Sequence, residues 1–129
     1  MHKRTIALVA HDGRKDALVD WAQDHISLLA PHDLYATGTT GGRINTETGL
    51  EVTRLKSGPL GGDAQLGAMI AEGRIDVLIF FTDPMSALPH DVDVKSLLRL
   101  ATYYDTLLAV NPATASAVMR YIATQGTQA

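Results

Sequence analysis

The chain has 129 residues, 46% of them hydrophobic and 19% charged, a length and balance that suit one globular domain over residues 1–129 and exclude long disorder. A formal net charge of −3 gives no electrostatic footprint for nucleic acid or an anionic membrane as partner, so an anionic small ligand would need a local positive pocket. There is no cysteine, which excludes a disulfide framework, thiol catalysis and thiolate-held metal.

In chain order, the basic start Met1-His2-Lys3-Arg4 leads into an apolar run from Ile6 to Ala10 that stops at His11-Asp12. That run is too short for a signal-peptide core or a membrane span; it predicts a buried strand, and a cytoplasmic protein is expected. Strands are predicted at 5–10, 34–37, 51–55, 76–81 and 106–110. The first, fourth and fifth are nearly continuous in apolar residues, as parallel strands covered on both faces are.

Helical period fills the intervals. Leu18, Trp21, Ala22, Ile26 and Leu29 form one stripe, stopped by Pro31. Gly41 to Thr48 predicts one short helix. Leu66, Met69 and Ile70 form a further stripe closed by Gly73, where a left-handed backbone is cheap. Val94, Leu97, Leu98, Ala101 and Tyr104 recur at three- and four-residue steps after Asp91, and Ala117, Val118, Tyr121 and Ile122 mark a last helix. The alternation predicts an α/β fold of three layers, helices on both faces of a parallel sheet joined by right-handed crossovers. Ligands in such sheets sit beyond the carboxyl ends of the strands. The polar, glycine-rich segments all follow predicted strands, so four loops are expected on one edge.

Thr37-Gly38-Thr39-Thr40-Gly41-Gly42 offers hydroxyls and unhindered backbone N–H groups able to form a concave anion nest, or a polar turn held by its own hydroxyls. Ser57-Gly58-Pro59-Leu60-Gly61-Gly62-Asp63 runs into a helix; Ser57 and the Gly58 N–H can grip phosphate oxygens, while Asp63 fits a helix cap equally well. Lys15 sits in a first helical turn, where a cation opposes the dipole and either a bound phosphate or solvent must compensate it. His11, at a strand end, reads as a ligand donor or as a partly buried polar residue. His90 shares the edge with Asp63, and a carboxylate and an imidazole facing one anion cradle can abstract a proton and polarise a carbonyl. His2, His25 and His32 read as tail, helix surface and turn. No histidine has metal-ligand spacing.

Taken together, Ala7-Leu8-Val9-Ala10-His11-Asp12, the stretch from Ala36 to Gly41, Ser57 to Asp63, Asp76 to Phe81 with Asp83-Pro84, and Pro89-His90-Asp91 resemble the methylglyoxal synthase family in order and spacing, over about residues 6–111. The resemblance implies a five-stranded parallel sheet in a flavodoxin-like order, a homohexamer, and no metal or organic cofactor. It implies conversion of dihydroxyacetone phosphate to methylglyoxal and inorganic phosphate, with phosphate as inhibitor. By position, Asp63 matches the catalytic acid/base and His90 the carbonyl donor. His11, Lys15, Thr37, Gly38, Thr39, Thr40, Ser57, Gly58 and His90 match substrate contacts, and Asp12, Asp83 and Asp93 match further acids of the pocket. The chain departs from the family in a short tail after Asn111-Pro112 and in Gly13-Arg14. The rival readings are a non-catalytic, phosphate-ligand-binding regulatory domain of the same fold, like the effector domain of carbamoyl phosphate synthetase, and a triose phosphate isomerase.

Overall fold

The apolar runs become five strands, β1 (Thr5–Ala10), β2 (Asp33–Thr37), β3 (Val52–Leu55), β4 (Val77–Phe81) and β5 (Leu107–Ala109), each within a residue or so of the sequence expectation. The structure, a computed structural model, describes residues 3–85 and 91–127. All four strand pairings are parallel, and the order across the sheet is β3-β2-β1-β4-β5. The three-layer α/β class is as expected; the strand order is not that of flavodoxin, 2-1-3-4-5. Here the chain takes two steps outward, β1 to β2 to β3, before it crosses back to the other side of β1. The reversal comes one strand–helix unit later.

That path decides which face each helix covers. The helices are α1 (Lys15–Asp24), α2 (Ile26–Leu29), α3 (Gly38–Thr48), α4 (Gly62–Ala71), α5 (Asp91–Tyr103) and α6 (Pro112–Thr127). Right-handed crossovers in one direction put α1, α2 and α3 on one face, and reversed direction puts α4 and α5 on the other. The two cores record this. Ile6, Leu8 and Ala10 of β1 pack with Leu18, Trp21, Leu29, Ile44 and, from α6, Met119 and Ile122. Ala7 and Val9, pointing the opposite way, pack with Leu66, Ile70, Leu97 and Ala101. Residues that alternate along one strand therefore feed both layers, which is why the central strands read as unbroken apolar runs.

Two helical expectations are corrected. The first stripe is one continuous face but two helices, because His25 leaves helical geometry (φ −124°, ψ 25°) between α1 and α2. Its ring stacks on Trp21 with centroids 4.6 Å apart, and its Nδ1 lies 2.7 Å from the Trp21 carbonyl oxygen. It is thus an inter-helix strut and not a surface residue: Nε2 meets Ser116 Oγ at 3.0 Å, and Ser116 Oγ accepts from the Trp21 indole N–H at 3.0 Å. The short helix expected from Gly41 starts three residues earlier, at Gly38. The last helix holds its expected stripe and opens with proline at its first position, where the missing N–H costs nothing. Gly73 behaves as expected, at φ +74° with the Arg74 N–H bonding back to the Met69 carbonyl.

His32 is more than a turn residue. It is buried and its Nδ1 accepts the Arg4 N–H at 2.9 Å, pinning the start of β1 to the entry of β2. Among the described residues no helix is long and apolar enough to cross a membrane.

Candidate active site

The strand order reverses between β1 and β4, and in open parallel sheets ligands usually sit beyond the carboxyl ends of the strands at such a point. His11 continues β1, its N–H bonding the Phe81 carbonyl at 3.2 Å. Its ring is only 8% exposed and meets Phe80 edge-on, with centroids 5.3 Å apart. The Asp83 backbone N–H donates to His11 Nδ1 at 2.7 Å. With Nδ1 engaged as acceptor, the ring proton of the neutral imidazole belongs on Nε2, so the atom left for a ligand is a donor.

Asp83 owes its position to a missing side chain. A Cβ on Gly13 would stand 2.8 Å from Asp83 Oδ2, so glycine at the departure Gly13-Arg14 makes room for this carboxylate. Asp83 Oδ1 accepts the Met85 N–H at 3.2 Å, folding the loop after β4. On the near side, a 3-10 turn at Asp12–Arg14 leads into α1. Lys15 bonds Asp12 through Nζ–Oδ1 at 3.0 Å. The compensation for a cation in the first turn is therefore an ion pair with a neighbour, neither bare solvent nor an anion alone. A phosphate entering here would compete with Asp12 for the ammonium.

The second group of residues lies at the ends of β2 and β3. Thr37, paired with Leu55 in the register, is the residue before α3, and its side chain makes no capping bond. The glycine-rich segment is thus a helix N-terminus, not a free loop. The first N–H groups of α3 have no intrahelical acceptors and carry the positive end of the helix dipole. Gly38 makes this start possible: at φ +30°, any Cβ would lie 2.7 Å from the Ser57 Cα, so the two strand ends touch backbone to backbone. Thr39 is exposed, whereas Thr40 is 1% exposed and its Oγ1 has no hydrogen-bond partner. An orphan hydroxyl is costly to bury.

Ser57 and Gly58 open a 3-10 turn, Gly58–Leu60, after which Gly61 takes φ +113° as the residue preceding α4. Gly62 admits no side chain at all, since a Cβ would stand 1.9 Å from the Lys56 carbonyl oxygen. This packing carries Asp63 into the first turn of α4. The capping position belongs to Gly61, so a cap does not explain Asp63. Its two carboxylate oxygens each lie 3.3 Å from where a Gly58 Cβ would be, beside the Ser57–Gly38 contact. A hollow of about 340 Å³ between α4 and α5, lined by Gly67, Ser96, Leu97 and Leu100, begins at Asp63.

The structure therefore joins Thr37, Gly38, Thr39, Thr40, Ser57, Gly58 and Asp63 at one edge, and sets His11, Asp12, Lys15 and Asp83 at the end of the adjoining strand β1. His90 and the side chain of Asp93 lie outside the described residues. A larger hollow, about 640 Å³, opens at the amino-terminal edge near Asp33 and Asn45. It is at the wrong end of the strands, and the Asn45 amide there is consumed by both backbone groups of Val52.

One neighbour of the cradle was missed in sequence. Arg54 of β3, opposite Ala36 in the register, donates Nε–H to the Gly38 carbonyl at 3.1 Å. Its guanidinium lies over Gly42, whose Cβ would stand 3.1 Å from Arg54 Cζ. Only strand register brings it there; the Gly41-Gly42 pair was the one local sign that something must pass close to α3.

Comparison with known proteins adds a third line. The family described as MGS-like domain matches residues 17–110. The chain is 62% identical to methylglyoxal synthase of Agrobacterium fabrum (strain C58 / ATCC 33970), over 88% of this chain and 90% of that one. It is 57% identical to methylglyoxal synthase of Proteus mirabilis (strain HI4320), over 88% and 75%. The crystal structure of methylglyoxal synthase from Elizabethkingia anophelis NUHP1 superimposes with a TM-score of 0.86 at 55% identity, covering 91% of this chain and 77% of that one.

Proposed function

The chain belongs to the methylglyoxal synthase family, and from that premise we propose that it converts dihydroxyacetone phosphate to methylglyoxal and inorganic phosphate. The observation that carries this reading is the Asp63 carboxylate standing against Gly58, where the starts of α3 and α4 converge. A base beside an anion cradle suits proton removal from a phosphorylated ketone.

Asp63 takes a proton from the hydroxymethyl carbon, and its electron pair forms the C–C double bond of an enediolate as charge moves to the former carbonyl oxygen. His90 donates a hydrogen bond to that oxygen; this role rests on the family match, since His90 is outside the described residues. His11, held by the Asp83 N–H with Nε2 as donor, supports the same developing charge. The former carbonyl oxygen takes up a proton, and the enediol then expels phosphate. The terminal hydroxyl gives its proton to a base as its oxygen becomes the aldehyde carbonyl, the double bond shifts toward the phosphate-bearing carbon, and the bond from that carbon to the phosphate oxygen breaks with its electron pair; the remaining enol ketonises to methylglyoxal. Expulsion is fast when that bond stands perpendicular to the enediol plane, and holding phosphate so is the work assigned to the N–H groups of α3, Thr39, Thr40, Ser57 and Lys15. All these steps use side chains and main chain alone.

A homohexamer accords with the family and with apolar side chains left in solvent, Leu60 at 74% and Met85 at 90% exposed. A cytoplasmic setting accords with the cysteine-free sequence.

The test is incubation of the purified protein with dihydroxyacetone phosphate, following methylglyoxal and phosphate together. Equal release of both is expected, with added phosphate competing. Glyceraldehyde phosphate without phosphate release would make it an isomerase; phosphate binding without turnover would make it a regulatory domain.

A further inference from the structure

We propose that Arg54 is a positioning residue of the phosphate cradle, acting through its hydrogen bond to the Gly38 carbonyl. The inference rests on the reading of the α3 start as the phosphate site and adds a residue that the family resemblance does not supply.

Gly38 is the residue whose backbone is least constrained by its own chemistry. It sits at φ +30° with no side chain, directly before the N–H groups that would face an anion. Something outside the residue must hold it. One side is held by contact with Ser57. The other is held by Arg54, whose Nε–H reaches the Gly38 carbonyl at 3.1 Å from the outermost strand, β3. The stem and guanidinium then run beside the first turn, close enough that a Cβ on Gly41 would stand 3.0 Å from Arg54 Cγ and one on Gly42 3.3 Å from Nη1. The two glycines are thus a groove for this side chain.

The charged group lies near Gly42, about one helical turn below the N-terminus, some 5.4 Å along the axis. It is alongside the cradle, not in it. Its effect on phosphate should therefore come through the geometry of Gly38, with charge the smaller part, because an exposed charge at that range is screened by water and salt.

Three substitutions separate these contributions. Glutamine places its amide nitrogen where arginine has Nε, keeping the donor and losing the charge. Lysine places a methylene there, keeping charge and losing the donor at that point. Methionine keeps the stem and loses both. For Arg54→Met we expect KM for dihydroxyacetone phosphate and the inhibition constant of inorganic phosphate to rise together, about tenfold, with kcat within a few-fold. Arg54→Lys should resemble Arg54→Met, and Arg54→Gln should stay within about threefold of the parent. Melting temperatures taken alongside keep loss of fold apart from loss of affinity. Unchanged constants in Arg54→Met would overturn the proposal, as would Arg54→Lys behaving like the parent while Arg54→Gln behaves like Arg54→Met. If the parent protein itself neither turns over the substrate nor binds phosphate, the functional reading fails instead, and the two failures are told apart by that control.

Discussion

Asp63 and Thr40 show how single residues carry cost or function here. With Gly61 in the capping position, Asp63→Asn removes a base but no cap. Loss of the charge at the first turn of α4 costs the fold about 0.3–1 kcal/mol, while turnover falls by roughly 10²-fold or more and phosphate affinity holds. Rates near those of the parent in a folded variant would take Asp63 out of the chemistry. Thr40 is the reverse case, a hydroxyl buried with nothing to bond. Thr40→Val should leave the melting temperature equal or higher, the gain reaching about 1 kcal/mol, and should weaken phosphate binding. A clear loss of stability would mean the hydroxyl has a structural partner.

At the scale of elements, α1 and α6 meet through a closed set of bonds. The Trp21 indole N–H donates to Ser116 Oγ, the Ser116 hydroxyl meets His25 Nε2, and His25 Nδ1 returns to the Trp21 carbonyl. For the carbonyl to be satisfied Nδ1 must donate, so Nε2 accepts the serine proton. Ser116→Ala strands an indole N–H and an imidazole nitrogen together, and thermal or denaturant unfolding should register a loss of about 1–3 kcal/mol. Because α6 follows the last strand and packs on the face opposite α4, the loss should appear in stability with kcat and KM little changed.

For the molecule as a whole, His32 couples folding to pH. Burial holds its pKa below the ordinary 6.5, with the nearby positive charge of Arg4 acting in the same direction. The unfolded chain therefore takes up the proton first. Stability should be unaffected by this group above pH 6.5 and should fall as pH drops below it, until the folded-state pKa is passed. Asn at this position keeps an acceptor for the Arg4 N–H without a titrating ring. The stability difference between the parent and His32→Asn, followed by denaturant midpoint from pH 7.5 to 5, should shift in favour of the variant as pH falls. A constant difference would remove His32 as the source.

Alternation, apolar continuity and glycine placement are local properties of the chain, and they suffice for the strands, the two-sided burial of β1 and β4, and the edge on which the glycine-rich segments gather. It also carried the family, through motifs whose order and spacing survive whatever surrounds them. Relations between distant residues came from the folded chain. The late reversal of strand order, the start of α3 at Gly38, the loss of the cap reading for Asp63 and the approach of Arg54 to Gly38 all depend on strand register and backbone contact. Nothing in a segment's own composition records which other segment will lie a few ångströms away, and at this site those approaches set the geometry.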